Sequence, residues 1–280
     1  MLGLGSNILT NVLAMIAVGL AGWFLTTTLR LPFVYRRRRN LFKFFGMSGS
    51  DARLTAYLST VFVQPGGSLD FRGTARTFAG PAIPFAELST VEPIAKLFSD
   101  PLLEGLPAPI RAWLGNKVHW SFGSITPDFR ASPQDRNAVA CGNLLTVGSQ
   151  YYNSAGDLYT ETLGTILKME QVPQGMRIRV QGGPRAGDSF QPRPGQPDDL
   201  AIVEKLYDQA TKSTVLVAAG LGVVGTMGAV YFIVERWQEL FEEFGTGRFA
   251  ICLRFQNVVD DPSAFKKPIE LSRFENGAAA

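Results

Sequence analysis

Residues 1–29 carry no charged side chain, and Arg30, Arg36, Arg37, Arg38, Arg39 and Lys43 follow almost at once. A helix needs about 20 apolar residues to cross a hydrocarbon core, so this run is long enough to span. Lys and Arg beside a span stay on the cytoplasmic side. The expected topology is therefore single-pass in an inner or plasma membrane, with the amino terminus outside and the main domain cytoplasmic. A cleaved secretory signal fits less well, because no Lys or Arg precedes the run. Membrane lipid is the first expected partner, with anionic head groups drawn to the basic cluster. Nucleic acid is not expected, since the net charge is only +3 and the basic run lies against the membrane. Ala14, Ala17 and Ala21 share one side of the anchor helix, with Asn11 as a polar group in the same run. Small faces let membrane helices approach closely, which makes other membrane subunits, or a second copy of the chain, expected partners.

The boundaries that follow are an anchor at 1–29, a basic juxtamembrane segment at 30–45, a cytoplasmic α/β domain at 46–260 and a tail at 261–280. A domain of this size buries a substantial core. Cys141 and Cys252 have no metal-ligand spacing and are expected as buried free thiols; His119 stands alone, so no metal site is expected. Residues 53–63 read as a buried strand, and 80–84 as a loop feeding a helix over 85–98. Pro93 either kinks that helix or lies in its first turn, with Ser89 or Thr90 as cap. A short helix is expected near 110–114 and a strand over 117–122. Residues 144–149 are a second apolar strand. Residues 163–170 and 176–181 form a hairpin around Pro173, Gln174 and Gly175, and 185–197 is a polar loop.

Residues 213–234 are again free of charge. A second span would explain that, but the local pattern favours a strand over 214–219, a turn at Gly220-Leu221-Gly222-Val223-Val224-Gly225, and an amphipathic helix. In that helix Val230, Ile233, Val234, Trp237, Phe241 and Phe244 recur at helical spacing, opposite Glu235, Arg236, Glu239, Glu242 and Glu243. Gly245 ends it and 249–255 is a strand. Just before, Ile202, Leu206 and Ala210 share one face of an expected helix over 198–210, capped by Asp198 or Asp199. The fold class read from this order is α/β, with a mainly parallel sheet between helical layers.

The glycine run between strand and helix, over 214–256, resembles the Rossmann dinucleotide-binding fingerprint. The resemblance implies a turn at Gly220, close approach of a pyrophosphate at Gly222, tight helix packing at Gly225, and a nucleotide as the candidate cofactor. The acidic residue that fingerprint expects on the second strand is absent; Arg254, Phe255 and Gln256 stand there. Glycines that serve only helix packing are the alternative. Thr226 lies beside the loop. Ser149, Tyr151, Tyr152 and Asn153 follow the 144–149 strand and are expected to face it, with tyrosine stacking a base and Asn153 reading an edge. Alternatively Asn153 and Ser154 cap a helix. Glu87 and Glu92 are candidate acid–base groups only by location. Three functions remain: a ligand-sensing or assembly module, an accessory subunit of a large membrane assembly (an energy-transducing one, for example) with no ligand, and a membrane-anchored nucleotide-processing enzyme.

Overall fold

The computed structural model describes residues 3–47, 53–63, 68–71, 74–77, 80–99, 127–261 and 263–275. The chain divides into two compact units, Met1–Leu41 and Phe42–Ala280. The first consists of helix α1 (Gly3–Phe44), which includes Pro32 and ends at the start of the second unit. At 1.5 Å per residue its 42 residues extend about 63 Å. Val12, Leu13, Met15, Ile16 and Val18 on it are exposed. Among the described residues no helix is long and apolar enough to cross a membrane. The side chains of 3–11, 20–21 and 23–31, which make up most of the charge-free run, lie outside that description.

The second unit begins with short pieces: β1 (Leu54–Leu58), β2 (Val61–Val63), β3 (Ser68–Phe71), β4 (Thr74–Thr77), β5 (Gly80–Ala82), α2 (Phe85–Leu88) and α3 (Val91–Phe98). There follow β6 (Asp128–Ala131), β7 (Asn143–Val147), α4 (Ser154–Thr162), β8 (Leu167–Val172), β9 (Gly175–Val180) and β10 (Ser189–Phe190). The last part is β11 (Asp199–Asp208), β12 (Ser213–Gly220), α5 (Val223–Phe244), β13 (Phe249–Phe255) and β14 (Ile269–Glu275). The main sheet has seven strands in the order β14-β13-β11-β12-β7-β1-β6. β6, β1, β7 and β12 pair in parallel, while β11 pairs antiparallel with both β12 and β13, and β14 antiparallel with β13. β13 therefore points the same way as β12, and only β11 and β14 run against the rest.

Side-chain alternation builds a layer on each face. Leu200, Ile202 and Leu206 of β11 and Val215, Val217 and Ala219 of β12 pack with Ala155 and Tyr159 of α4 and with Met169, Ile178 and Val180 of the β8–β9–β10 sheet. The opposite face carries α5, with α2 and α3 against it. There Phe44 stacks on Phe249 at 6.1 Å and sits 6.5 Å from Trp237. The chain reaches the domain at the amino ends of the strands, where Thr214 N–H donates to Asn143 and Gly46 lies against both residues.

The α/β class and the helix–sheet layering follow the sequence reading, and residues 213–234 are a strand and a helix packed into this unit. Several readings are corrected. The expected helix over 198–210 is strand β11, buried on both faces, so it shows no alternation of apolar and polar residues. Asp208 starts its turn to β12 by accepting from Ala210 N–H and Thr211 Oγ1. The βαβ unit survives, but with β11 lying between its two parallel strands, so the sheet is mixed. The expected tail supplies β14, an edge strand. The strand over 53–63 breaks after Leu58, and the helix over 85–98 breaks into α2 and α3. Pro93 sits in the first turn of α3 behind Thr90. Cys141 is exposed rather than buried. His119 and the elements read at 110–114 and 117–122 lie outside the described residues.

Candidate functional site

The loops that follow β1, β6, β7 and β12 share the carboxyl edge of the sheet. From β1 the chain goes on to β6 on one side; from β7 it goes on to β11 and β12 on the other. The neighbouring ends of β1 and β7 thus mark the place where connections diverge, and in open α/β sheets ligands bind in the crevice at such a point. A cleft of about 440 Å³ opens there. Thr60 and Val61 beyond β1, Gln134 beyond β6, and Gln150 to Ser154 with Asp157 beyond β7 line it.

The glycine loop next to it has another occupant. Asp199, at the start of β11 and 7% exposed, places its carboxylate at the amino end of α5. Oδ1 accepts from Gly222 N–H at 2.9 Å and from Leu200 N–H at 2.8 Å, and Oδ2 accepts from Gly225 N–H at 2.7 Å. Backbone donors at a helix amino terminus favour an anion, and here the anion is part of the chain. A Cβ on Gly222 would lie 2.7 Å from Asp199 Oδ2, and one on Gly225 would lie 2.5 Å from Leu200 O. Thr226 Oγ1 closes the turn, donating to Gly222 O and accepting from Gly220 N–H. Burial pushes the Asp199 carboxyl above its usual value, against the lowering effect of the three N–H donors. Gly220, Gly222, Gly225 and Thr226 thus serve a close junction of strand, strand and helix, and none of them lines the cleft.

The second expected group does meet at the cleft, in different roles. Asn153 is fully buried and caps α4: its Oδ1 accepts from Gly156 N–H, and its amide donates to Tyr57 O and Val147 O, tying β1 to β7. Its amide nitrogen is spent, so it holds the cleft wall and does not read a base. Ser149 O accepts from Tyr152 N–H, which shapes the turn. Tyr151 and Tyr152 are 50% and 58% exposed. Tyr151 OH donates to Met169 O, and Gln150 Nε2 donates to the same carbonyl at 3.0 Å.

Glu87 reaches from α2 to the residues just beyond β1 and β7. Its Oε2 accepts from Ser59 N–H, and Gly148 faces its Oε1 with a φ of +102°. That left-handed backbone suits glycine, and a Cβ would collide with the carboxylate. Burial drives the Glu87 carboxyl up to about 7, against the hydrogen bonds from Ser59. Glu92, by contrast, is exposed and paired with Lys96, whose hydrogen bond lowers its carboxyl. Two further ionisable groups lie inside the domain. Glu204 accepts from Ile166 and Leu167 N–H and is pushed by burial to about 7. Lys205, pushed by burial down to about 8, donates to Gly245 O and lies over the Phe44 ring. Among the described residues no group of His, Cys, Asp and Glu could hold a metal ion.

No family model matches the chain, and no curated protein or solved structure matches it either. Asp199, Asp157, Gln134, Thr60 and Val61 are the residues here that the sequence reading did not name for a site. For Asp199 the one available signal was an acidic residue opening a segment that precedes a glycine turn.

Proposed function

We propose that this protein is a membrane-tethered ligand-sensing module whose α/β domain binds a small molecule in the cleft at the carboxyl ends of β1 and β7. The observation that carries the reading is the place of the cleft. It lies where the chain's connections diverge, its volume is within the range of small-molecule sites, and exposed tyrosines border it. The glycine loop is not the ligand site in this reading, because Asp199 already supplies its negative charge. Tethering is supported by an unbroken 42-residue helix that carries exposed apolar side chains and, nearer its end, the basic cluster. The domain is then cytoplasmic, and α1 is also the surface for other subunits.

The experiment is a thermal-unfolding screen of the full chain in detergent against nucleosides, nucleotides, sugars and amino acids, with Tyr152→Ala as the control. Stabilisation by one class, lost in Tyr152→Ala, supports the reading. A screen without a hit, or a hit that ignores the variant, refutes it. Release of the protein from membranes by an alkaline carbonate wash refutes the tether.

A further inference from the structure

We infer that the cleft takes a phosphate-free ring compound rich in hydroxyl groups, a nucleoside or a sugar, and discriminates against its phosphate ester. The inference rests on the cleft being the binding site, and it comes from how the chain has used its own anion-holding groups. A protein grips phosphate with a glycine loop, a helix amino terminus or a guanidinium. Near the cleft the glycine loop and the guanidinium are engaged by the chain itself, and the helix amino terminus already carries a carboxylate, Asp157, in its first turn. The glycine loop holds Asp199. The first turn of α4 gives Gly156 N–H to Asn153 Oδ1 and Asp157 N–H to Asn153 O. Arg136 bonds both Asp157 Oδ2 and Glu161, the latter at 2.6 Å.

One guanidinium against two carboxylates leaves a net negative charge at the rim. Among the described residues that line the cleft there is no Lys or Arg, whereas Asp157 is one of them. An incoming phosphate would meet the like charge of Asp157 and Glu161 there.

The polar groups that remain both donate and accept hydrogen bonds, among them the side chains of Gln134, Ser154 and Tyr152. Gln150 has given one of its two amide hydrogens to Met169 O and keeps the other, with Oε1 as an acceptor. Thr60 has given its hydroxyl hydrogen to Ser132 O. The ion pair to Asp157 engages Oδ2, and Oδ1 remains an acceptor. A mixture of donors and acceptors suits a ligand that does both, as sugar hydroxyls do. Tyr152 offers the flat apolar face that a base or the C–H side of a sugar ring stacks on.

The test uses matched pairs on the full chain in detergent: adenosine against adenosine monophosphate, and glucose against glucose 6-phosphate, titrated by calorimetry. The unphosphorylated member of one pair is expected to bind, and its ester at least about tenfold more weakly, which is about 1.4 kcal/mol. Which pair responds separates a nucleoside from a sugar. Asp157→Asn should narrow the gap between ester and parent compound. Gln134→Ala, on another element, should weaken the unphosphorylated ligand and leave the ratio unchanged. An ester that binds as well as or better than its partner overturns the ligand class while leaving the cleft as the site. If no member of either pair binds, both the ligand class and the cleft reading fall.

Discussion

Replacing Asp199 with alanine isolates what the glycine loop does. The substitution removes the acceptor of three backbone N–H groups. Gly222 is exposed, so water can replace the carboxylate there; Leu200 and Gly225 are buried, and their N–H groups lose their partner. An unsatisfied buried donor costs about 1–3 kcal/mol. Losing a charge at the amino end of α5 adds up to about 2 kcal/mol. Relief from burying a carboxylate, whose cost shows in its raised titration, offsets part of both. The net loss is about 2–4 kcal/mol, a fall in Tm of roughly 5–15 °C for a domain of this size. Thermal unfolding followed by circular dichroism measures it. The second readout is chemical rescue. With Asp199→Gly the donors are free and a small anion fits, so acetate should raise the Tm of the variant and leave the parent unchanged. A variant within about 2 °C of the parent would refute the latch. Equal stabilisation of the parent by acetate would show that the loop still accepts external anions.

Further outcomes follow from the same contacts. Gly225→Val should destabilise by roughly 1–3 kcal/mol, because its Cβ meets Leu200 O and nothing there can yield, and chemical denaturation measures the loss. Glu87 and Glu204 titrate higher in the folded protein than in the unfolded chain, so the stability they give is full below pH 4.5 and is lost as pH rises to about 7. Glu87→Gln should flatten part of that slope, and an unchanged urea midpoint profile between those pH values would refute it. Lys205 is the opposite case, a base whose titration is lowered to about 8, so its penalty shrinks as pH rises from about 8 to 10.5. Lys205→Met should therefore raise stability at pH 7 by about 1–2 kcal/mol, and a lower Tm would mean that its bond to Gly245 O outweighs its burial.

The parts legible in the sequence were those with an unshared local signature. β12, the glycine turn and α5 follow one another as a β-branched run, a breaker and a helical stripe; Pro173, Gln174 and Gly175 mark the β8–β9 hairpin. β11 was misread because Ile202 and Leu206 are four apart, and residues four apart share a side in a helix and in a strand alike. Burial of both faces removed the alternation that would have settled it. β14 is a half-exposed edge strand with weak patterning. The cleft's tyrosines could be placed from their position after β7, but the occupant of the glycine loop could not. Asp199 lies 23 and 26 residues before the glycines it serves, and only the pairing of β11 with β12 brings them together.

The chain joins the domain at one end of the strands, beside Asn143 and Thr214, while the cleft opens at the other. β1 and β7, five residues each, set a distance of roughly 16 Å between the two ends. Attachment near Gly46 thus takes hold of the domain at the strand ends away from the cleft. An attachment there leaves the cleft open. A bulky label placed after β1 or β7 would obstruct it, although each of those positions lies fewer than twenty residues in sequence from where the chain joins the fold or from the strand's own start.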